Sequence, residues 1–311
     1  DALTANTTAD YNTAVGYYAL KVNTTGTQND ALGAHTLSSN TTGDDNTAIG
    51  GWALQNNTTA DDNVAVGRQT LQQNTTGASN TALGRSALLV NTTGSGNTAV
   101  GLGALDASTT GEQNTGLGSH ALGSLTDAQY NVAVGNNALD ATTTGDNNVG
   151  IGKDALGANT TASNNTAVGY ESLKTNTTGT SNVALGFKSL KLATTATNNT
   201  SLGYATMEST TTGAENTAVG YKALLANTTG TNNAAFGTNA LDSNTTGAGN
   251  TGLGKQSSHN ITTGANNTAV GYLSLSETTT AANNTAVGKS ALQENTTGIQ
   301  NVAVGALTLD A

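Results

Sequence analysis

Three histidines, no cysteine and a few clustered aspartates are the residues with which this 311-residue chain could do acid–base, nucleophilic or metal chemistry. Asp44 and Asp45 form one pair, and Asp61 and Asp62 form another at an interval of 17. If a fold brought them to one corner, a Ca²⁺ would relieve their repulsion, although a solvated acidic corner is the plainer reading. Tyr170, Phe187, Tyr204 and Tyr221 repeat at the same interval, with Lys188 and Lys222 beside them. Such a strip is suited to stacking on a sugar or receptor, to docking another chain, or to stabilising the fold with no ligand at all. The many Asn-Thr-Thr triplets fit the N-glycosylation pattern but are also part of the repeat. No nucleophile with a base and an orienting partner emerges, so the chain reads as non-enzymatic, with no cofactor beyond the weak Ca²⁺ option.

The recurrence of 17 leads from these residues to the elements that carry them. Starting at Asn12 and adding 17 repeatedly, all 18 landing points through Asn301 are Asn. With this Asn as position 0, position 4 is Gly in all 18 copies. Position 2 is Ala, Gly or Ser, and position 3 is a large apolar residue such as Val15, Leu32, Ile49 or Phe236. Position 8 is Leu or Met except at Ser258, position 11 is most often Asn, position 12 is Thr, and position 14 is Gly or Ala. The unit reads N-T-A-V-G-x-x-A-L-x-x-N-T-T-G-x-x.

Composition alone suggests disorder, because Leu, Ile, Val and Phe make up only 52 of 311 residues. Charge density is low, however, at 10% charged residues with a formal net charge of -10. A thin-cored solenoid needs few large apolar residues per turn and resolves the conflict. The expected fold is therefore an all-β parallel β-solenoid (β-roll) with one repeat per coil and about 18 coils, as one repeat domain over residues 1–311. Residues 1–11 form a partial coil and full coils start at Asn12. A helix is disfavoured, since each interior Gly would cost about 0.5–1 kcal/mol relative to Ala.

Within a coil, T-A-V-G, A-L and N-T-T read as three short strands, with corners at positions 4 and 14. Positions 3 and 8 are expected to point inward as the core, and positions 5 and 6 outward. The small column at position 2 fits either tight packing inside one coil or close approach of another chain. Asn12, Asn29, Asn46 and Asn63 are expected to form an amide ladder with their counterparts. Gly16, Gly33, Gly50 and Gly67 are expected to need a positive φ or to lack room for a Cβ. At ~4.8 Å per coil, His35 and His120 stand five coils and roughly 24 Å apart, too far to share a site. The coil with Ser258 and Ile261 is expected to be locally weak.

At N-T-A-V-G (Asn12 to Gly16, and again at Asn97 to Gly101, Asn165 to Gly169 and Asn216 to Gly220) the sequence resembles the head repeats of trimeric autotransporter adhesins, whose unit carries an S-V-A-I-G-like core. The fuller A-L-x-x-N-T-T-G-x-x-N-T-A-V-G pattern is similar to repeats in bacterial tail-fibre-domain proteins. The resemblance covers the whole chain and implies a left-handed β-roll, commonly three chains about one axis, acting as a surface stalk or adhesive head. The adhesin unit is shorter than the repeat of this chain, and no coiled-coil neck, membrane-anchor barrel or self-cleaving chaperone domain lies in the sequence.

The expected role is a structural extracellular or cell-surface fibre or adhesin stalk that assembles with itself, as a homotrimer or an end-to-end filament, and takes a glycan or host-surface receptor as its other partner. End-to-end stacking is expected because both termini fall inside a unit without an atypical cap sequence. The alternative is ice binding by stacked Thr and Asn columns at positions 11 to 13. A sequence pI near 4.5 argues against nucleic acid, and no long apolar run offers membrane insertion.

Overall fold

The computed structural model describes residues 1–309; Asp310 and Ala311, to which the expected coils extend, lie outside the described residues. The protein is an all-β parallel solenoid with one copy of the sequence repeat per coil, and no helix occurs among the described residues. It divides into two compact units. The first, Asp1–Asp154, carries strands β1 (Thr13–Val15) to β9 (Val149–Ile151). The second, Ala155–Ala311, carries β10 (Thr166–Val168) to β18 (Val302–Val304).

Each unit holds one parallel sheet whose register follows the repeat without a slip. Thr47 pairs with Val64, Ala48 with Ala65 and Ile49 with Val66 in the first. Thr217 pairs with Ala234, Ala218 with Ala235 and Val219 with Phe236 in the second. Main-chain bonds such as Thr47 N–H to Asn63 O (2.8 Å) and Gly50 N–H to Leu32 O (2.8 Å) continue the ladder past the strand ends.

Each coil contains one three-residue strand rather than the three expected. The A-L and N-T-T segments are turns, because positions 6, 8 and 16 adopt left-handed backbone: φ is 60° at His35, 47° at Leu37 and 56° at Asp45. Three such corners, together with the glycine at position 4, close the chain on itself within a single repeat. A left-handed residue other than Gly costs about 1–2 kcal/mol. Leu at position 8 is held there by complete burial from Leu20 to Leu275 wherever Leu occupies it.

The core also differs from expectation. A strand turns alternate side chains to opposite faces, and here position 2 points in while positions 1 and 3 point out. Ala48, Ala65, Ala82 and Ala99 are completely buried, whereas Leu32, Leu83, Leu117, Leu202 and Leu253 are 45–50% exposed. Position 3 is therefore not core. The coil interior is narrow, and the large side chain inside it is Leu at position 8. A Cβ built on Gly116, at position 2, would lie 3.4 Å from Leu105 Cδ1 and 3.1 Å from Ala121 O, which leaves no volume for Val or Leu. Position 2 is thus packed by its own chain and offers nothing to a neighbour.

Candidate functional site

The glycines at position 4 satisfy both conditions read from the sequence. Gly16, Gly33, Gly50 and Gly67 have φ of 138°, 140°, 117° and 136°. A Cβ on Gly16 would stand 2.4 Å from Gly33 O, and one on Gly67 would stand 2.7 Å from Gly84 O. Side chains are excluded there by conformation and by the carbonyl of the next coil alike.

The position-0 asparagines form the ladder. Asn12 Oδ1 accepts the Asn29 main-chain N–H at 2.9 Å, and Asn29 Oδ1 accepts both the main-chain N–H and Nδ2 of Asn46 at 3.1 Å. Asn63 Nδ2 donates to Asn46 Oδ1 at 3.2 Å. The same amides reach the position-14 carbonyls, as in Asn29 Nδ2 to Gly43 O at 2.8 Å. A buried polar group is tolerable only when its bonds are made, and this geometry makes them.

A second interior ladder, at position 11, goes beyond the sequence reading. Asn40 Nδ2 donates to Asn23 Oδ1 (2.8 Å), Asn57 to Asn40 (2.9 Å) and Asn74 to Asn57 (2.9 Å). Each also bonds the position-14 carbonyl of its own coil. Asn23, Asn40, Asn57 and Asn74 are fully buried, so these four Asn-Thr-Thr triplets present no accessible amide for a glycan in the folded chain. The neighbouring Thr24, Thr41 and Thr75 spend their hydroxyls on the position-12 carbonyl of the following coil at 2.9–3.0 Å. With Asn at position 11 inside the coil, the outward ranks at this corner are Thr at positions 12 and 13, the position-12 hydroxyls being engaged between coils.

The aromatic strip forms as a stack. Ring centroids of Tyr170, Phe187, Tyr204 and Tyr221 are 5.3, 5.1 and 5.3 Å apart, with interplanar angles of 13°, 8° and 14°. Lys188 Nζ lies 5.1 Å from the Phe187 ring and Lys222 Nζ lies 5.3 Å from that of Tyr221. The inner rings, Phe187 and Tyr204, have both faces covered, so they offer edges rather than faces to solvent. Below the strip Glu171 bonds Lys174 at 2.8 Å and Lys191 at 2.9 Å, and these two ammonium groups hold its carboxyl down to about 2. A second aromatic group, in the first unit, has no counterpart among the sequence expectations. Tyr18 meets His35 edge-on at 5.4 Å, His35 stacks on Trp52 at 6.3 Å, and Arg68 lies 5.0 Å from the Trp52 ring.

Two of the four aspartates are drawn into the coil-to-coil bonding. Asp44 Oδ1 accepts the Thr27 main-chain N–H (2.6 Å) and hydroxyl (3.0 Å), and Asp61 Oδ1 accepts the Asp44 main-chain N–H (2.8 Å). Asp45 and Asp62 are exposed at the left-handed corner. Among the described residues no group of three or more His, Asp or Glu side chains is arranged to hold a metal ion. Two histidines have carboxylate neighbours. His259 Nδ1 lies against Asp242 Oδ1, where burial raises the Asp242 pKa and the imidazole opposes it. Burial likewise raises Asp106 and Asp140, and His120 pulls both down.

What distinguishes this surface is the outward sheet face: Thr or Val at position 1, except at Asp30 and Ala234, beside Val, Leu, Ile or Phe at position 3. The signal for it lay in side-chain volume. Position 3 varies from Val to Phe, which a narrow interior would not accommodate, whereas position 2 never exceeds Ser or Ala. No helix of the described residues is long and apolar enough to cross a membrane. Comparison with protein-family models, curated proteins and solved structures finds no match.

Proposed function

We propose that this chain is a structural element of an extracellular or cell-surface fibre or adhesin stalk, working through its stacked coils and in association with other copies of itself. The observation that carries the reading is where the repeated side chains go. Asn at positions 0 and 11, Gly at 4 and Leu at 8 are all spent inside the coil, bonding or packing one turn onto the next. A chain whose recurrent residues serve coil-to-coil cohesion is suited to holding distance and bearing load, since each turn depends on its neighbours. The resemblance of N-T-A-V-G to the S-V-A-I-G-like core of adhesin heads points the same way. The aromatic strip from Tyr170 to Tyr221 is the place where an adhesive contact with a glycan or surface receptor would be made, through ring edges and the Lys188 and Lys222 ammonium groups.

Sedimentation and negative-stain microscopy of the purified chain test this reading. Elongated particles of more than one chain are the expected result. A stable compact monomer of 30.7 kDa at high concentration would overturn it, and thermal hysteresis in that monomer would favour ice binding.

A further inference from the structure

The outward sheet face is nearly devoid of charge. Across positions 1 and 3 of all 18 strands, one side chain is charged, Asp30. Of the eighteen outward residues in the first unit's sheet ten are exposed and eight are intermediate, with Leu32, Leu83 and Leu117 45–50% exposed. Such a face presents on the order of a few hundred Å² of apolar surface, a size that on a monomer often marks an interaction site.

The edges of the face carry opposite charge. Positions 15 and 16, just before each strand, hold eight carboxylates, among them Asp61, Asp62 and Glu215, and no Lys or Arg. Positions 5 and 6, just after each strand, hold seven of the ten Lys and Arg, among them Arg68 and Lys222, against two carboxylates. The strand Val64–Val66 thus has Asp62 on one side and Arg68 on the other, and Thr217–Val219 has Glu215 and Lys222.

Volume is also balanced in several rows, although Ile151 and Leu185 each share theirs with Val. The bulkiest position-3 residue, Phe236, shares its row with the smallest position-1 residue, Ala234. Leu83, Leu117, Leu202 and Leu253 each share theirs with Thr.

From these three observations we infer that the outward face docks a second copy of this chain, with the stacking directions of the two copies parallel and the rows in register. This deepens the fibre reading and rests on it. A two-fold axis along the stacking direction reverses the strands, so position 1 of each row meets position 3 of the partner's row. Phe236 then faces Ala234 of the second copy, and large side chains interdigitate with small ones across sheets about 10 Å apart. The same operation lays the acidic edge along the basic edge, and in three rows it brings opposite charges directly together: Asp62 opposite Arg68, Asp146 opposite Lys153 and Glu215 opposite Lys222. Inverting one copy end for end would instead set acidic edge on acidic edge, which electrostatic complementarity rejects.

The test compares wild type with three variants in sedimentation equilibrium, with circular dichroism and protease resistance as checks on folding. Wild type should have twice the chain mass. Leu83→Lys with Leu117→Lys places two charges on the outward face without touching the interior, and should yield a folded monomer. Arg68→Asp should raise the dimer dissociation constant by about tenfold, and Arg68→Asp with Asp62→Arg should restore it, because the exchanged pair meets again only in the parallel arrangement. If wild type associates and the double-lysine variant still does, this face is not the interface, although the fibre reading stands. A three-chain mass, or failure of the exchanged pair to restore association, overturns the parallel two-fold arrangement. Wild type that remains monomeric at all concentrations removes the fibre reading itself.

Discussion

The coil that starts at Asn46 and the coil that starts at Asn250 follow the same backbone path with different contents. In the first, Leu54 fills the interior and Asn57 extends the second amide ladder in both directions. In the second, Ser258 stands in place of Leu and Ile261 in place of Asn. Asn244 Oδ1 and Ser258 Oγ are consequently left buried without partners. The backbone hardly responds: φ is 48° at Leu54 and 50° at Ser258, and the inter-coil bond Ser258 N–H to Ser274 O is 2.9 Å. Two further breaks, at Ala193 and at Ser108, follow the same rule and orphan the Oδ1 atoms of Asn176 and Asn91. The path of the chain is therefore set by the features both coils keep, Gly at position 4, Asn at position 0 and the left-handed corners. The Leu column and the second Asn column add cohesion that individual turns do without.

Substitutions at shared and at variable features should separate these contributions. Gly84→Val attacks a shared feature, since a Cβ there would lie 2.6 Å from Gly101 O at a φ of 128°. It should cost about 3 kcal/mol or more and open a protease-sensitive point at that coil; unchanged limited proteolysis would show that the corner tolerates a side chain. Leu54→Ala should destabilise its coil by about 2–5 kcal/mol through the cavity it leaves, read as faster amide exchange there than in the adjoining coils. In wild type the Ser258 coil should already exchange faster than the Leu54 coil. Equal protection of the two would mean that the Leu column is dispensable.

Asn57→Ile converts the intact ladder into the broken one and should cost about 1–3 kcal/mol, because Asn40 Oδ1 loses its donor inside the coil. The reverse change, Ile261→Asn, should stabilise by about 1 kcal/mol by giving Asn244 Oδ1 a donor. A melting temperature that falls instead would point to the lost isoleucine packing as the larger effect.

The smallest change expected is at Glu171. Its folded-state pKa, held near 2 by Lys174 and Lys191, lies below the ordinary value of 4.5, so its stabilising contribution is present above pH 4.5 and lost as pH falls toward 2. Glu171→Gln should therefore lower the melting temperature slightly at pH 7 and leave it unchanged at pH 2. A difference that persists at pH 2 would assign the effect to packing rather than charge.

The repeat length, the parallel register, the Asn column and the glycine corner were legible from residue types alone, because each is a demand that recurs at one fixed interval. The aromatic stack was legible for the same reason: Tyr170, Phe187, Tyr204 and Tyr221 share one column, and any coil of one repeat superimposes them. The turns at A-L and N-T-T read as strands from sequence, since Leu at a left-handed φ runs against its local preference and only complete burial at position 8 holds it there.

The direction of the strand was decided by the tertiary structure. Period-2 alternation in T-A-V-G places positions 1 and 3 on one face and position 2 on the other, but local sequence does not say which face is inside. Hydrophobicity favours Val inside; the diameter of the closed coil overrules it. With Leu at position 8 already filling the interior, only a residue no larger than Ser or Ala fits at position 2, so the larger apolar side chains are turned outward onto the face for which a second copy is the proposed partner.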